Sequence, residues 1–518
     1  MYNCLIDQFI TVEREGVRRE SVSLPEVLAL LTSDRVSSFP ALRPHQRQAW
    51  HAFLVQLAAL AMLEAGRSDL PKDASAWATL LRALTPDWPQ DDPWSLVSLP
   101  DKPALLQAPI PGGDLSDFKK AIATPDALDM LITSKNHDLK AAVMANAQPE
   151  DWLFALVTLQ TMEGFLGAGN YGISRMNGGF ANRPALGMIP PGGLGARFQR
   201  DVSILVDQRD KVFEKAPPFP RQGGLGLVWL DSWSGIGQLA LANLDPYYIE
   251  ICRRVRLIHE VDGLSAIAAG SKKTRIAAAE MKGNTGDPWL PIGVAEAKAL
   301  SITQRGFNYR LMSDLLFSGN YSKALLQEIH TNDPDLGLSV QACGVARGQG
   351  ITEGYHQRMV KLEKQPISLL KRGKGNILAP IAEERVQQIG DMRGKVLRPA
   401  LFVLLQDGTD DINYQSKTTV PQAEKWLKAF EHKVDQIFFE RLWLEVAVDP
   451  EDRNDIRQKW VEELRDLALI QLKKAERAAP LATMRRYRAV TRARGMFYSQ
   501  LSKQFPDLRR EEKNDASA

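Results

Sequence analysis

Helical spacing dominates the last part of the chain, from residue 376 to 518. Apolar residues recur there at intervals of three and four, which places them on one face of each helix. The two clearest stripes are Trp426, Leu427, Phe430, Val434, Ile437 and Phe438, and Ile456, Trp460, Leu464 and Leu467. Two further helices are predicted at 377–405 and 484–501. Four helices with short connections are typical of an antiparallel bundle.

The N-terminal part of the chain has shorter and more varied patterns. Residues 5–12 and 17–22 alternate as strands do, and the charged turn at Gly16 between them predicts a hairpin. Residues 44–64 predict an amphipathic helix, on which His45 and His51 are expected at the surface or near the helix start. This region is therefore expected to mix helices with short strands.

A basic, glycine-rich run, Lys-Arg-Gly-Lys-Gly at 371–375, separates these two patterns. A chain of 518 residues is longer than a single core usually serves, so two domains are expected. We predict an α+β protein with a large mixed N-terminal domain, residues 1–375, followed by an all-α four-helix bundle, residues 376–518.

Composition narrows the kind of protein. The net charge is only +3, so a nucleic-acid surface would have to be a local patch. The three cysteines, Cys4, Cys252 and Cys343, have no CxxC spacing, so neither a metal site nor a disulfide framework is predicted. No apolar run is long enough for a membrane span, and the early Asp7 does not suit a signal peptide. We expect a cytoplasmic protein with no membrane partner.

Arginines are concentrated at two places. The first group interleaves with apolar residues as on a half-buried strand, and the second recurs at three- and four-residue spacing along the last helix. Each group could be a solvated face or a set of phosphate contacts. The groups are Arg253, Arg254 and Arg256, and Arg485, Arg488 and Arg492.

Seven glycines lie among Asn, Arg and aromatic residues in the segment 164–187. Glycine has no Cβ, so it can adopt positive φ and let the backbone approach a ligand closely. The segment is therefore a candidate contact surface, although glycines that only form tight turns would look the same. Gly167, Gly169 and Gly172 also spell G-x-G-x-x-G. A dinucleotide site is disfavoured, because a helical pattern precedes this motif and Asn-Gly-Gly follows it.

The run 151–187, together with Ser-Lys-Asn-His-Asp at 134–138, resembles the large subunit of the type I-E CRISPR surveillance complex, the CasA-type protein of Cascade. The resemblance extends to Leu-Ile-Asp-Gln-Phe-Ile at 5–10, to Gly-Asp-Pro-Trp-Leu-Pro at 286–291 and to the helical tail. It therefore covers nearly the whole chain.

The resemblance implies a set of DNA-contacting residues. The glycine segment would contribute Gly167, Gly169, Asn170 and Tyr171. A lysine before Trp289 would reach DNA, with Lys282 the best placed and Lys272 and Lys273 as alternatives. A glutamine wedge would lie at Gln349, with Gly350 beside it, and a loop touching duplex DNA would include Lys135, Asn136 and Lys140.

The resemblance also implies the function and the partners. The subunit would recognise the protospacer-adjacent motif of target double-stranded DNA from the minor groove and nucleate R-loop formation. Its partners would be the other Cascade subunits, the CRISPR guide RNA within the complex and a recruited helicase-nuclease. No cofactor and no catalytic residue is predicted, since the sequence has no nucleophile motif and no Walker loop. The alternatives are a structural scaffold that does not read DNA, and a nucleotide-dependent enzyme using residues 167–172.

Overall fold

The structure is a computed structural model that describes residues 2–129, 144, 146–178, 182–215, 218–261, 263–348, 351–479 and 483–508. Two compact units are present. The first comprises Met1–Phe307 with Gly319–Leu362, and the second comprises Asn308–Ser318 with Glu363–Ala518. This division lies upstream of the basic run at 371–375, and a domain boundary at residue 375 stays a prediction.

Six helices are described in the first unit. They are α1 (Leu24–Thr32), α2 (Arg47–Glu64), α3 (Ala74–Ala83), α4 (Pro149–Met162), α5 (Leu194–Asp207) and α6 (Arg209–Lys215). Local chemistry sets several of their starts. The Glu26 carboxylate accepts from the Ser23 amide at 2.6 Å and so caps α1. The Asp34 carboxylate accepts from the amides of Gly193 and Ala196, which satisfies free donors at the start of α5.

Small sheets accompany these helices. Their strands are β1 (Ile10–Arg14), β2 (Val17–Val22), β3 (Lys120–Ile122), β4 (Ala185–Ile189), β5 (Leu225–Leu227), β6 (Leu239–Ala240), β7 (Leu244–Ile249), β8 (Arg254–Glu260), β9 (Gly263–Ala269), β10 (Ile276–Ala277), β11 (Ile292–Gly293), β12 (Lys298–Ala299), β13 (Tyr321–Ser322), β14 (Ser339–Gly348) and β15 (Ile351–Lys361). The three-stranded sheets have the orders β15-β14-β4, β3-β9-β8 and β12-β11-β13. Two-stranded pairs join β1 to β2, β5 to β7 and β6 to β10.

A tryptophan-rich core holds the first unit together. The fully buried indoles are Trp50, Trp77, Trp94, Trp152, Trp229 and Trp289. The hairpin predicted near the N-terminus is present as β1 and β2, although it starts later than predicted, at Ile10. The helix predicted at 44–64 is α2. His45 lies just before its start, as one alternative expected, but the expectation that the two histidines are at the surface was wrong. The Nε2 atoms of His45 and His51 lie 2.8 Å from Asp129 and Asp201, because carboxylates distant in sequence draw both rings inward.

The second unit consists of helices and the loops that join them in its described part. Its helices are α7 (Tyr309–Leu316), α8 (Lys364–Lys371), α9 (Leu378–Asp391), α10 (Arg398–Leu405), α11 (Thr419–Val446), α12 (Arg453–Ala478) and α13 (Thr483–Gln504). A π-helical turn, Met392–Leu397, joins α9 to α10, so that 378–405 forms one continuous helix. The predicted four-helix bundle and the α+β class are therefore confirmed.

One buried ion pair lies inside this bundle. The Arg385 guanidinium on α9 donates to Glu445 on α11 at 2.8 Å. It also lies over the Trp460 ring of α12, with the guanidinium carbon 4.8 Å from the ring centroid. Helix α7 is short, since it ends at Leu316, and Tyr321–Ser322 forms strand β13. Among the described helices, none combines the length and apolarity that crossing a membrane requires.

Candidate nucleic-acid interface

A short hairpin follows α4, and we call residues 163–173 the glycine hairpin. The amide of Ile173 donates to the carbonyl of Glu163 at 3.0 Å, and the amide of Leu166 donates to the carbonyl of Asn170 at 2.9 Å. At the tip, the Asn170 amide donates back to Gly167 at 2.9 Å. Ala168 and Asn170 are exposed. The segment is thus an ordered hairpin that presents its tip to solvent.

Glycine is required at specific positions of this hairpin. Gly167 and Gly169 have φ values of +112° and +82°, which side-chain-bearing residues rarely adopt. A Cβ on Gly172 would lie 2.7 Å from the carbonyl carbon of Gly164, so the two strands could not approach as they do. The rings of Phe165 and Tyr171 pack on each other with centroids 5.9 Å apart.

A lysine turn lies against the tip. The amide of Ser271 donates to the carbonyl of Gly169 at 3.0 Å, and the Cα of Gly270 lies 3.5 Å from the Cβ position of Gly169. Lys272 and Lys273, which follow directly, are exposed. These two lysines therefore stand next to the tip of the glycine hairpin.

Lys282 lies beside residues 174–178, which continue the chain after the glycine hairpin. It is exposed, and its φ of +48° places it in the left-handed region, where it ends a short 3-10 turn. The next residue, Gly283, packs so closely that a Cβ there would lie 2.6 Å from the carbonyl carbon of Met176. The structure thus brings the three candidate lysines to the segment around the hairpin, and the choice of Lys282 over the others stays a prediction.

A buried polar network fixes the continuation, residues 174–178. The Ser174 amide donates to the Glu250 carboxylate at 2.8 Å, and its hydroxyl lies 2.6 Å from that of Tyr248. The Arg175 guanidinium stacks on the Tyr248 ring at 3.9 Å. Burial raises the pKa of the Glu250 carboxyl, although the positive charge of Arg175 partly offsets this.

The Gly-Asp-Pro-Trp motif at 286–289 contacts the last part of the glycine-rich segment, at residues 183–186. The Arg183 guanidinium donates to both oxygens of Asp287, at 2.5 and 2.9 Å. Asp287 also accepts from the amide of Trp289 at 2.9 Å, and the Trp289 carbonyl accepts from Leu186 at 2.8 Å. The two most specific sequence motifs are therefore joined in space.

The predicted wedge residues Gln349 and Gly350 lie outside the described residues, as do Lys135, Asn136 and Lys140. What is described is the stem on either side of the wedge. β14 and β15 pair antiparallel from Ser339 opposite Lys361 to Gly348 opposite Ile351, with an irregularity between Ala346 and Arg347. The wedge segment therefore joins the ends of two long paired strands.

The first arginine group was interpreted wrongly, since it forms neither a solvated face nor a phosphate surface. Arg256 is 2% exposed, and its guanidinium donates to backbone carbonyls, among them those of Ser98 and Leu99 at 2.9 and 2.8 Å. Arg253 donates to the carbonyl of Gly164 at 2.7 Å. These side chains cross-link loops inside the unit, a role that alternation along one strand cannot reveal.

The second arginine group lies on α13. Arg492 donates to the Gly408 carbonyl at 2.7 Å and to Asp410 at 2.9 Å. Arg485 lies 3.8 Å from Asp407, and Arg488 is exposed. Two of these three charges are thus partly neutralised by the loop after α10, and a phosphate contact at this helix stays a prediction.

Metal and nucleotide sites find no support in the described part of the chain. No group of three or more potential metal ligands occurs among the described residues, and the three cysteines are buried and free. The G-x-G-x-x-G glycines follow helix α4 and form the glycine hairpin, whereas a dinucleotide site needs a strand before them and a helix after them.

The fold is that of the CasA-type CRISPR-associated proteins. Three solved structures of such proteins match the chain over nearly its whole length. CasA (Cse1) from Thermus thermophilus is 16% identical, with 97% of this chain and 99% of that chain covered and a TM-score of 0.65. Cse1 from Acidimicrobium ferrooxidans is 14% identical, with 97% and 98% covered and a TM-score of 0.65. Cse1 from Thermobifida fusca is 14% identical, with 98% of both chains covered and a TM-score of 0.67.

At these identities the likeness establishes the fold, and at that level it confirms the resemblance found in the sequence. No family model matches the chain, and no curated protein matches it.

Proposed function

We propose that this chain is the large subunit of an RNA-guided type I-E CRISPR antiviral complex and acts in the cytoplasm. It recognises the protospacer-adjacent motif of double-stranded DNA from the minor groove and nucleates R-loop formation. It has no catalytic step of its own and helps to recruit a separate helicase-nuclease. The other subunits and the guide RNA supply the remaining contacts.

The observation that supports this proposal most is the arrangement around the glycine hairpin. Its tip, residues 167–170, exposes Ala168 and Asn170 and carries no bulky side chain, while beside the tip Leu166 is 40% exposed and Tyr171 is half-buried. The turn beside the tip carries Lys272 and Lys273, and Lys282 lies beside residues 174–178, which follow the hairpin. A narrow backbone edge with flanking cations suits the minor groove, which is about 6 Å wide and bordered by phosphates.

The mechanism follows from this surface and from the hairpin of β14 and β15. Backbone groups at Gly167 and Gly169, with Asn170 and Tyr171, would meet base-pair edges, while a lysine contacts groove acceptors or phosphates. Gln349 would enter the stack beside the motif. Unstacking one step costs about a few kcal/mol, which the groove and phosphate contacts would offset. Base pairing with the guide then tests the sequence.

The loop containing Lys135, Asn136 and Lys140 is proposed to contact the duplex beside the motif. Arg485, Arg488 and Arg492 are proposed to contact phosphates of the displaced strand. For Arg485 and Arg492 this would require exchange of Asp407 and Asp410 for phosphate, which salt dependence of binding would report.

Base analogues test minor-groove reading directly. The complex is reconstituted with its guide RNA, and its preferred motif is found by selection from a library of duplexes. Replacing guanine by inosine in that motif removes the minor-groove amino group together with one Watson–Crick hydrogen bond, whereas 7-deazaguanine changes only the major groove. Replacing adenine by 2,6-diaminopurine has the opposite effect, since it adds an amino group in the minor groove. We expect inosine or 2,6-diaminopurine to alter binding and 7-deazaguanine to leave it unchanged. Equal binding to every duplex would instead indicate a scaffold that does not read DNA.

A further inference from the structure

A buried ion pair joins the base of the glycine hairpin to the end of β14. Glu163 is the first residue after α4, and Arg347 is the next-to-last residue of β14. The Arg347 guanidinium contacts both carboxylate oxygens of Glu163, through Nη1 to Oε1 and through Nη2 to Oε2 at 3.3 Å. Each side chain is only 1% exposed. The pair is therefore shielded from water on both sides.

Each partner occupies a fixed place in its own hairpin. The Glu163 carbonyl accepts from Ile173 and so closes the base of the glycine hairpin, and the adjacent Gly164 carbonyl accepts from Arg253 at 2.7 Å. Arg347 pairs with Thr352 just after the irregularity in the ladder, two residues before Gln349. The ion pair thus connects the two places from which the proposed DNA-contacting segments emerge.

Separating these two places would be unfavourable. Burial raises the pKa of the Glu163 carboxyl, and the positive charges of Arg347 and Arg253 oppose that shift. A buried charge that loses its partner is strongly destabilised, because the protein interior solvates it poorly. Moving the two hairpin bases apart would therefore leave both buried charges without a partner, and this cost opposes their separation.

We propose that Glu163 and Arg347 are positioning residues, which set the distance between the groove-contacting glycine hairpin and the hairpin that carries Gln349. This inference rests on the proposed function. Motif binding does not require the hairpin that carries Gln349, whereas opening the first base pair needs that hairpin and the glycine hairpin at a fixed spacing. Disrupting the pair should consequently impair opening far more than binding.

The test compares two DNA substrates. The reconstituted complex carries Glu163→Gln or the neutral double variant Glu163→Gln/Arg347→Gln, which leaves no isolated buried charge. One substrate is a fully paired target with the preferred motif, and the other has mismatches at the first base pairs beside the motif. The control is Arg200→Met/Asp333→Asn, which removes another buried ion pair of the first unit, whose atoms lie 2.6 Å apart.

The rates of R-loop formation on the two substrates distinguish a positioning role from other effects of the substitutions. We expect R-loop formation on the paired target to slow about tenfold, with motif binding and the rate on the mismatched target near wild type. Equal slowing on both substrates, equal slowing in the control, or no slowing in either variant would overturn the positioning role. Failure of the wild-type complex to distinguish motifs would overturn the proposed function itself, and this inference with it.

Discussion

Replacing Asp287 by Asn is expected to lower the free energy of unfolding by about 3 kcal/mol. The Asp287 carboxylate is buried and pairs with Arg183 through two hydrogen bonds, so the substitution leaves a guanidinium with 2% side-chain exposure without its counter-charge. The near-identical shape of Asn limits the change to charge and hydrogen bonding. Calorimetry of the wild type and the variant at neutral pH measures the difference.

The pH dependence of this difference is a built-in control. Burial opposes ionisation of Asp287, but the charges of Arg183 and Arg175 outweigh it, so its pKa lies below the usual value. A lowered carboxyl pKa contributes stability above the unfolded-state value, and that contribution is lost as the pH falls through the folded-state value. The difference in the free energy of unfolding between the wild type and Asp287→Asn should therefore become smaller as the pH is lowered.

An exposed ion pair provides the comparison. Asp210 lies 3.1 Å from Arg221, and both side chains are largely exposed. Asp210→Asn should leave unfolding unchanged, because solvent screens such pairs. An Asp287→Asn protein as stable as the wild type, or a gap that widens in acid, would mean that this pair does not fix the segment.

Replacing Gln349 by Ala is expected to slow R-loop formation about 100-fold while leaving motif binding nearly intact. The physical reason is the barrier to unstacking one base step, which the inserted amide side chain is proposed to lower, while the groove and phosphate contacts offset the free-energy cost of unstacking. The readout is the fluorescence of 2-aminopurine placed at the first base pair beside the motif, followed in the reconstituted complex.

Gln357→Ala is the matched control, because Gln357 lies on β15 of the same hairpin, opposite Cys343 of β14. It should open DNA at the wild-type rate. Equal rates for Gln349→Ala and wild type would remove Gln349 from the mechanism, and loss of motif binding in Gln349→Ala would assign it to recognition instead.

Periodicity predicted those parts of the fold that depend on local spacing. The four bundle helices and α2 follow apolar residues three and four apart, and the N-terminal hairpin follows alternation around Gly16. The density of glycine predicted positive φ and close backbone approach in the glycine hairpin, and Gly167, Gly169 and Gly172 show both, whereas its role as a contact surface stays a prediction. Its defined turn at Gly167 and Asn170, however, is set by hydrogen bonds that no residue pattern specifies.

Long-range polar contacts could not be predicted from one sequence. Arg256 looks like a surface residue on an alternating strand, yet carbonyls around residue 98, more than 150 positions away, bury it. The burial of Glu163 likewise depends on Arg347, which is 184 residues distant in the sequence. A charged side chain is buried only where a partner compensates its charge, and folding brings such a partner close from a distant part of the sequence.

Photocrosslinking from the tip of the glycine hairpin tests most directly whether this hairpin lies against base pairs. A benzophenone-bearing amino acid replaces Ala168, which is exposed, and the control carries the same group at the exposed Ala65 after α2. Crosslinks from position 168 should map to the motif base pairs and should disappear when the motif is changed. Crosslinks at the level of the Ala65 control, or to protein alone, would contradict the account.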